Sequence, residues 1–426
     1  MNVLDRSILK IALPSIISNV TVPLLGLIDV AIVGHIGAAA YIGAIALGSS
    51  MFSMMYWLTG FLRMSTAGLT AQSFGAADID DCKIVLQRGL LVSFALSVLI
   101  LLLSHPIALA MSAFFDADTY VSAIALKYFG IVIFGAPAVL AMYVVNGWFI
   151  GMQDTRTPMW IAITTNVANI VVSALLVFVF KLDIVGVAIG TISAQWLSIA
   201  VSMLIIIKRY KLHHIQFGVL VDASELKRLF KLNSDIFLRT LCLVAVTMWF
   251  TRAGAKQGTD ILAANALLMQ MFLFFSYFSD GFAYAGEALA GEAFGANNMP
   301  KLRLVEHALL KWGACIAAAF AIIYYFGGEY IVAILTDSKD VIRVTMSYIA
   351  WIALVPLSGV YAFIYDGIYV GITRTRSMLG SVALGAVFFF GVYIICADFM
   401  GNNALWLAFN IYLLVRGLLL KIMLKA

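Results

Sequence analysis

The sequence predicts an all-α polytopic membrane protein: about 12 transmembrane helices in two pseudo-symmetric six-helix bundles. Three observations predict it. Hydrophobic residues make up 63% of the 426 and charged residues only 12%, with a mean hydropathy of +1.02, leaving too little charge to clothe a water-facing surface. Apolar stretches long enough to cross roughly 30 Å of hydrocarbon recur along the whole chain, and no segment between them is large enough for an extramembrane domain. The chain also matches itself when shifted: Thr155-Arg156 falls on Thr375-Arg376 (375 − 155 = 220), Gly147 and Gly151 on Gly367 and Gly371, and Phe74-Gly75-Ala76 on Phe294-Gly295-Ala296. A duplicated bundle in so hydrophobic a chain points to a carrier with its site between the halves.

In the first half the spans are read at 8–34, 40–68, 84–112, 120–146, 157–180 and 185–208. In the second half they are read at 234–254, 260–288, 302–327, 341–368, 377–399 and 402–422. The expected organisation is an amino-terminal lobe over 1–208, a cytoplasmic connector over 209–232 and a carboxy-terminal lobe over 233–426. The connector carries Lys211, Lys227, Arg228 and Lys231, with Asp222 and Glu225 near a helix start at Ser224, which reads as a short amphipathic segment.

Cationic loops resist translocation, so Lys and Arg set the orientation. With the amino terminus inside, Arg6, Lys10, Lys83, Arg88, Arg156, Lys208, Arg209, the connector, Lys301, Arg303, Arg374, Arg376, Lys421 and Lys425 share one side. Both termini are then expected to be cytoplasmic, in a cytoplasmic (inner) membrane of bacterial type, and the net charge of +5 reports topology rather than nucleic-acid binding. The first span starts almost at Met1 without a small-residue cleavage site and is expected to be retained. Cys82, Cys242, Cys315 and Cys396 are isolated and have neither metal-ligand nor redox-pair spacing.

A carboxylate in the middle of a spanning helix costs on the order of 2.5–3.5 kcal/mol on insertion scales, so it tends to face protein or water and to have a use. Asp29 is the clearest instance, in an uncharged run from Ile11 to Gly34 and six residues after Pro23. It is the candidate for proton uptake and release, against the alternative of a carboxylate satisfied by neighbouring Ser, Thr or Asn side chains. Pro23 removes a backbone donor and is a candidate hinge. The fifth span presents Asn166, Asn169 and Ser173 at helical spacing and the sixth presents Thr191 and Gln195, a polar stripe suited to lining a cavity or to interhelical hydrogen bonding.

Arg63, Arg239, Asp280 and Glu287 are charges inside apolar spans, read as internal ion pairs or secondary charged sites. Glu292, Asp366, Arg374 and Arg376 lie near the cytoplasmic ends, where capping and loop anchoring are expected. Met269, Phe275, Tyr277, Tyr361 and Tyr365 belong to aromatic and sulfur-rich stretches able to hold flat cations through apolar and cation–π contact, or simply to pack.

These residues carry a family likeness. Pro23 to Gly37 (PLLGLIDVAIVGHIG), Phe61 to Gly75 (FLRMSTAGLTAQSFG), Asp280 to Gly295 (DGFAYAGEALAGEAFG) and Asp366 to Arg376 (DGIYVGITRTR) resemble the signatures of the multidrug and toxic compound extrusion transporters. Within them the chain resembles the branch named after the DNA-damage-inducible F protein. The resemblance implies two six-helix lobes around a cleft that opens alternately to either side, exporting drug-like or amphipathic organic solutes in exchange for H⁺ or Na⁺. It implies that Asp29 is the coupling carboxylate, with Asn169 and Thr191 cooperating, and that the first helix bends at Pro23.

One departure bears on the choice of ion. Where many members carry a second carboxylate on the fifth helix, this chain has Ser173, which removes charge from a sodium site. Proton coupling through Asp29 is therefore the expectation, and sodium coupling the alternative. A lipid-linked oligosaccharide flippase of the same superfamily is a further alternative. The sequence shows no metal-binding or nucleophile motif, so neither an enzyme nor a resident metal or cofactor is expected. The expected partners are a small organic substrate and membrane lipids, with no nucleic acid, and the protein is expected to be a monomer.

Overall fold

In hydrocarbon a spanning segment can satisfy its backbone only with itself, and the chain folds accordingly. The computed structural model describes residues 3–34, 39–115, 118–212, 220 and 222–425, and within them the side chains of 22–25, 27, 29, 30, 33, 34, 39, 40, 115 and 425 lie outside the described set. No strand occurs among the described residues. The helices are α1 (Val3–Gly34), α2 (Ala39–Leu58), α3 (Phe61–Gly75), α4 (Ile79–Leu102), α5 (Ser104–Phe115), α6 (Thr119–Val132), α7 (Ala136–Gly151), α8 (Arg156–Ala174), α9 (Asp183–Tyr210), α10 (Ala223–Ala255), α11 (Thr259–Gly295), α12 (Met299–Leu335), α13 (Lys339–Met346), α14 (Ile349–Gly371), α15 (Thr375–Met400) and α16 (Asn402–Lys425). Among the described residues, 11 helical stretches are long and apolar enough to cross a membrane, from Tyr41–Gly75 to Asn402–Leu424, and α1 precedes them.

The duplication reappears as matched helix ends. Ala77 takes φ 59° while the Asp78 amide donates to the Ser73 carbonyl at 3.0 Å. At the equivalent place in the second half, Asn297 takes φ 52° and the Asn298 amide donates to the Ala293 carbonyl at 2.9 Å. Gln153 (φ 58°) and Thr373 (φ 53°) close α7 and α14 in the same way. Each closure gives carbonyls orphaned at a helix end a partner, and that offsets the roughly 1–2 kcal/mol a non-glycine residue loses in the left-handed region. The following helices start on Asp78 and Asn298, whose side-chain oxygens accept from the Asp81 amide at 2.9 Å and the Lys301 amide at 3.0 Å.

The glycines of the repeat are sites of close approach. A Cβ at Gly147 or Gly151 would run into the α3 backbone at Arg63, Ala67 and Ala71. At Gly367 or Gly371 it would run into the α11 backbone at Ala283, Glu287 and Gly291, which is the same register in the second copy. Small residues let spanning helices meet closely where apolar surface alone gives no drive to associate.

Two compact units result, Ile17–Leu229 and Met1–Ile16 with Phe230–Ala426. In the first, Phe52 stacks on Phe129 at 4.8 Å between ring centroids, and the Trp148 indole N–H donates to the Cys82 carbonyl at 2.8 Å. In the second, Asn265 and Asn402 exchange amide hydrogen bonds at 2.8 and 2.9 Å, and the Trp406 indole donates to Asn265 Oδ1 at 2.9 Å.

These units differ from the expected lobes. The start of α1 belongs with the second: Asp5 Oδ1 accepts from Trp312 Nε1 at 3.0 Å, and Ala12 and Ile16 pack on Gly281. The expected connector is partly helix, since residues from Ala223 run unbroken into α10, and its Glu225 lies 3.5 Å from Arg88 of α4 in the first unit. The reason is length: a 33-residue helix extends about 50 Å, well beyond the roughly 30 Å of hydrocarbon. The expected span at 40–68 is interrupted, with a turn at Thr59-Gly60 dividing α2 from α3.

Candidate functional site

The first unit has a half-open cavity of about 240 Å³ between α7, α8 and α9, with Asn146, Asn166, Asn169, Thr191 and Gln195 among its lining. Four of the five amino-half polar residues singled out from spacing therefore line one space. Asn169 Nδ2 donates to Thr191 Oγ1 at 3.4 Å, and Thr191 Oγ1 donates to the Val187 carbonyl at 3.0 Å. The fifth, Ser173, is one turn further along α8, fully buried against Gly190 of α9, where the absence of a Cβ makes room for its hydroxyl.

Oxygen atoms dominate what is left unsatisfied. Among the described residues, Asn146 Oδ1, Asn169 Oδ1, Gln195 Oε1 and Ser173 Oγ are buried and find no hydrogen-bond partner. An orphaned buried acceptor costs on the order of 1–3 kcal/mol, so a cluster of them in one lobe favours a proton donor, water or a cation among them. Among the described residues no group of three His, Cys, Asp or Glu side chains has metal-site geometry, so the oxygens here are amides and hydroxyls.

The cavity is tied to the first helix. Asn166 Nδ2 donates to the Thr21 carbonyl of α1 at 3.3 Å, eight residues or about 12 Å of helix before Asp29. Asp29 and Pro23 lie within α1, and their side chains are outside the described residues. Arg63 of α3 interacts electrostatically with Tyr143, itself part of the cavity lining.

The duplicate half lacks this polar lining. Under the shift that aligns the halves, Asn166, Asn169, Thr191 and Gln195 become Ala386, Phe389, Ile411 and Val415. What the second unit holds instead is a buried charge cluster: Asp366 Oδ2 accepts from Arg239 Nη2 and from Arg416 Nη2, the latter at 2.8 Å. Asp366 was expected to cap or anchor a helix end. The left-handed closure at Thr373 serves that end, and the carboxylate turns inward to the arginines. Arg239 thereby gains a partner that spacing did not assign, and Arg416 is a functional candidate that sequence reasoning missed; the same shift exposes both, because their counterparts are the uncharged Asn19 and Trp196. Glu292 does anchor a loop, accepting from Lys301 Nζ at 2.7 Å.

Glu287 is buried in α11 and Asp280 is half-buried two turns before it, each with a polar or electrostatic partner. The aromatic candidates separate. Phe275 and Tyr365 are fully buried, Phe275 against Phe320 and Phe363, whereas Met269, Tyr277 and Tyr361 are half-buried.

A family model described as MatE matches residues 14–175 and again 236–395, once in each half. The chain belongs to the MatE family. Its relatives agree: it is 36% identical to DNA damage-inducible protein F of Escherichia coli (strain K12), over 97% of this chain and 90% of that one. Two solved transporters share the fold across nearly the whole chain. One is a MOP-superfamily transporter from Pyrococcus furiosus (TM-score 0.88, 17% identity, 99% of this chain and 95% of that one). The other is a multidrug resistance MATE-family transporter in an outward-facing conformation (TM-score 0.87, 17% identity, 99% and 97%). The MatE match starts in both halves within the first helix and spans the glycine-paired helices, so the repeat read from sequence is the repeat of the family.

Proposed function

We propose that this MatE protein exports amphipathic or cationic organic solutes across a bacterial-type inner membrane by alternating access, in exchange for protons taken up at Asp29. The observation that carries the reading is the polar cavity of the first unit, with its orphaned oxygens and its hydrogen bond to the helix that bears Asp29. A carboxyl joined to such a cavity competes with substrate: deprotonated, it supports a bound solute, and protonation from outside favours release. Asn169, Thr191 and Gln195 shape the proton-binding environment, Asn166 ties it to α1, and Pro23 lets that helix bend. We assign coupling to the first half, where the polar lining lies; the counterparts Phe389, Ile411 and Val415 in the second half are apolar.

A second reading, sodium coupling, is favoured by the same orphaned oxygens, which are hard donors of the kind sodium takes. Against it stands Ser173, a hydroxyl packed on Gly190 where a charged ligand would have to sit. Inverted vesicles given a fluorescent organic cation in the bath and either protons or sodium in excess in the lumen separate the two. Transport driven by the pH gradient, lost in Asp29→Asn and weakened in Asn169→Leu, is the expected result. Transport driven by sodium alone would sink proton coupling, and full proton-driven transport by Asp29→Asn would remove Asp29 from the mechanism.

A further inference from the structure

Gln195 of the cavity lining lies in a slot that a missing side chain leaves open. A Cβ at Gly135 would run into the Gln195 carboxamide, whose three heavy atoms are the nearest it would meet. The Gly135 backbone has φ −82° and ψ −12°, a conformation open to any residue, so the turn itself does not call for glycine. The carboxamide does. The turn comes from Pro137, whose ring nitrogen has no hydrogen for the Ile133 carbonyl. That carbonyl accepts from the Ala136 amide instead, and the chain tightens into a 3₁₀ turn over Ile133–Gly135 between α6 and α7. The residue after Gln195 fastens to the same turn: Trp196 Nε1 donates to the Phe134 carbonyl at 3.3 Å. Two consecutive side chains of α9 thus dock on two consecutive residues of the turn.

We propose that Gly135 is a positioning residue for coupling: it seats the Gln195 carboxamide against the turn and so fixes the direction in which that amide meets the cavity. The inference rests on the proton-coupled reading above and adds a residue to it that touches neither proton nor solute. Gln195 Oε1 is buried with no hydrogen-bond partner among the described residues, so shape holds the amide where a hydrogen bond would otherwise do so. An amide held this way acts through its dipole and its donors, which favour one protonation state of a nearby acid over the other. Few titratable or charged groups surround the space: Tyr143 in the lining, Arg63 acting on Tyr143, and Asp29 on α1. Tyrosine and arginine ordinarily titrate well above neutral pH. A change in the pH profile near neutrality on displacing the amide therefore reports on Asp29.

Uptake of a fluorescent organic cation into inverted vesicles, measured against lumenal pH, tests this, with thermal stability in detergent followed alongside. Gly135→Ala and Gln195→Leu are each expected to move the midpoint of the pH profile in the same direction by roughly half to one unit, the size of one hydrogen bond to a titrating group. The two substitutions together should move it no further than Gln195→Leu alone. Gln195→Asn, one methylene shorter, leaves the slot unfilled and should also shift the midpoint. Adding Gly135→Ala to Gln195→Asn fills the slot and should return the midpoint towards wild type, a comparison that holds even if Gly135→Ala alone does not fold. An unmoved midpoint in Gln195→Leu or in a folded Gly135→Ala, shifts that add in the double variant, or no return in Gly135→Ala with Gln195→Asn overturn the proposal. The proton-coupled reading fails separately, if wild-type uptake does not depend on lumenal pH at all.

Discussion

Replacing Asp366 with asparagine removes one negative charge from between two buried arginines and changes almost nothing in shape. Arg239 and Arg416 are 8% and 6% exposed, so neither reaches enough water to replace the lost partner. Two unit charges about 4 Å apart attract by about 4 kcal/mol at an effective dielectric constant near 20, and the mutual repulsion of the arginines is unmasked as well. The asparagine oxygen still accepts a hydrogen bond and local rearrangement recovers part of the loss, which brings the expected cost to about 3–5 kcal/mol, the range for a buried pair broken on one side. Arg239→Met should cost far less, because Asp366 and Arg416 remain a neutral pair at 2.8 Å. Replacing all three with Met, Leu and Met should land near wild type, since well-packed apolar groups avoid the desolvation penalty altogether. Unfolding in mixed detergent micelles, followed by tryptophan fluorescence, ranks the variants. Asp366→Asn within about 0.5 kcal/mol of wild type, the scatter of an ordinary surface change, would refute the reasoning; so would Arg239→Met proving as costly as Asp366→Asn. The chain contains its own control, because Asn146 occupies the equivalent place in the first half with Asn19 and Trp196 where the arginines would be.

Local geometry sets two further outcomes. Gly367→Ala drives a methyl into the Ala283 backbone, which has no room to give, and should destabilise by about 1–3 kcal/mol, whereas Gly391→Ala meets nothing within 4 Å and should gain about 0.5–1 kcal/mol in the same assay. Asp222, exposed ahead of α10, accepts from the Ser224 hydroxyl at 2.5 Å and from the Ser224 and Glu225 amides, and these bonds hold its carboxyl below the ordinary carboxylate range. A depressed folded-state value means that the cap stabilises α10 above the unfolded pKa of about 3.9 and is lost as pH falls through the folded value. Amide exchange at 224–226 should therefore quicken as pH drops into that range relative to the intrinsic rate, and Asp222→Ala should be quick at every pH.

What was legible in the sequence follows the range of the interactions involved. Helices were legible because hydrocarbon permits little else, and the polar lining was legible because Asn166 and Asn169 are three residues apart on one helix while Thr191 and Gln195 are four apart on another. Pairing over long separations was not: Asp366 reaches Arg239 and Arg416 across 127 and 50 residues, and no spacing rule reports such distances. Proximity to a helix end made Asp366 look like a cap, although the backbone had already closed that end at Thr373. The burial of Phe275 and Tyr365 was equally hidden, since the composition of an aromatic stretch does not say which ring faces inward.

The division of α1 at Ile16 and of α10 at Leu229 makes each half of the molecule borrow its opening turns' surroundings from the other. A fragment ending between residues 209 and 224 would carry Asp5 without Trp312 and Ile16 without Gly281, and its complement would carry Glu225 without Arg88. Neither half is a finished object. Each compact unit is assembled from parts of both copies of the repeat, so a cut at the repeat boundary is not a cut between packed units.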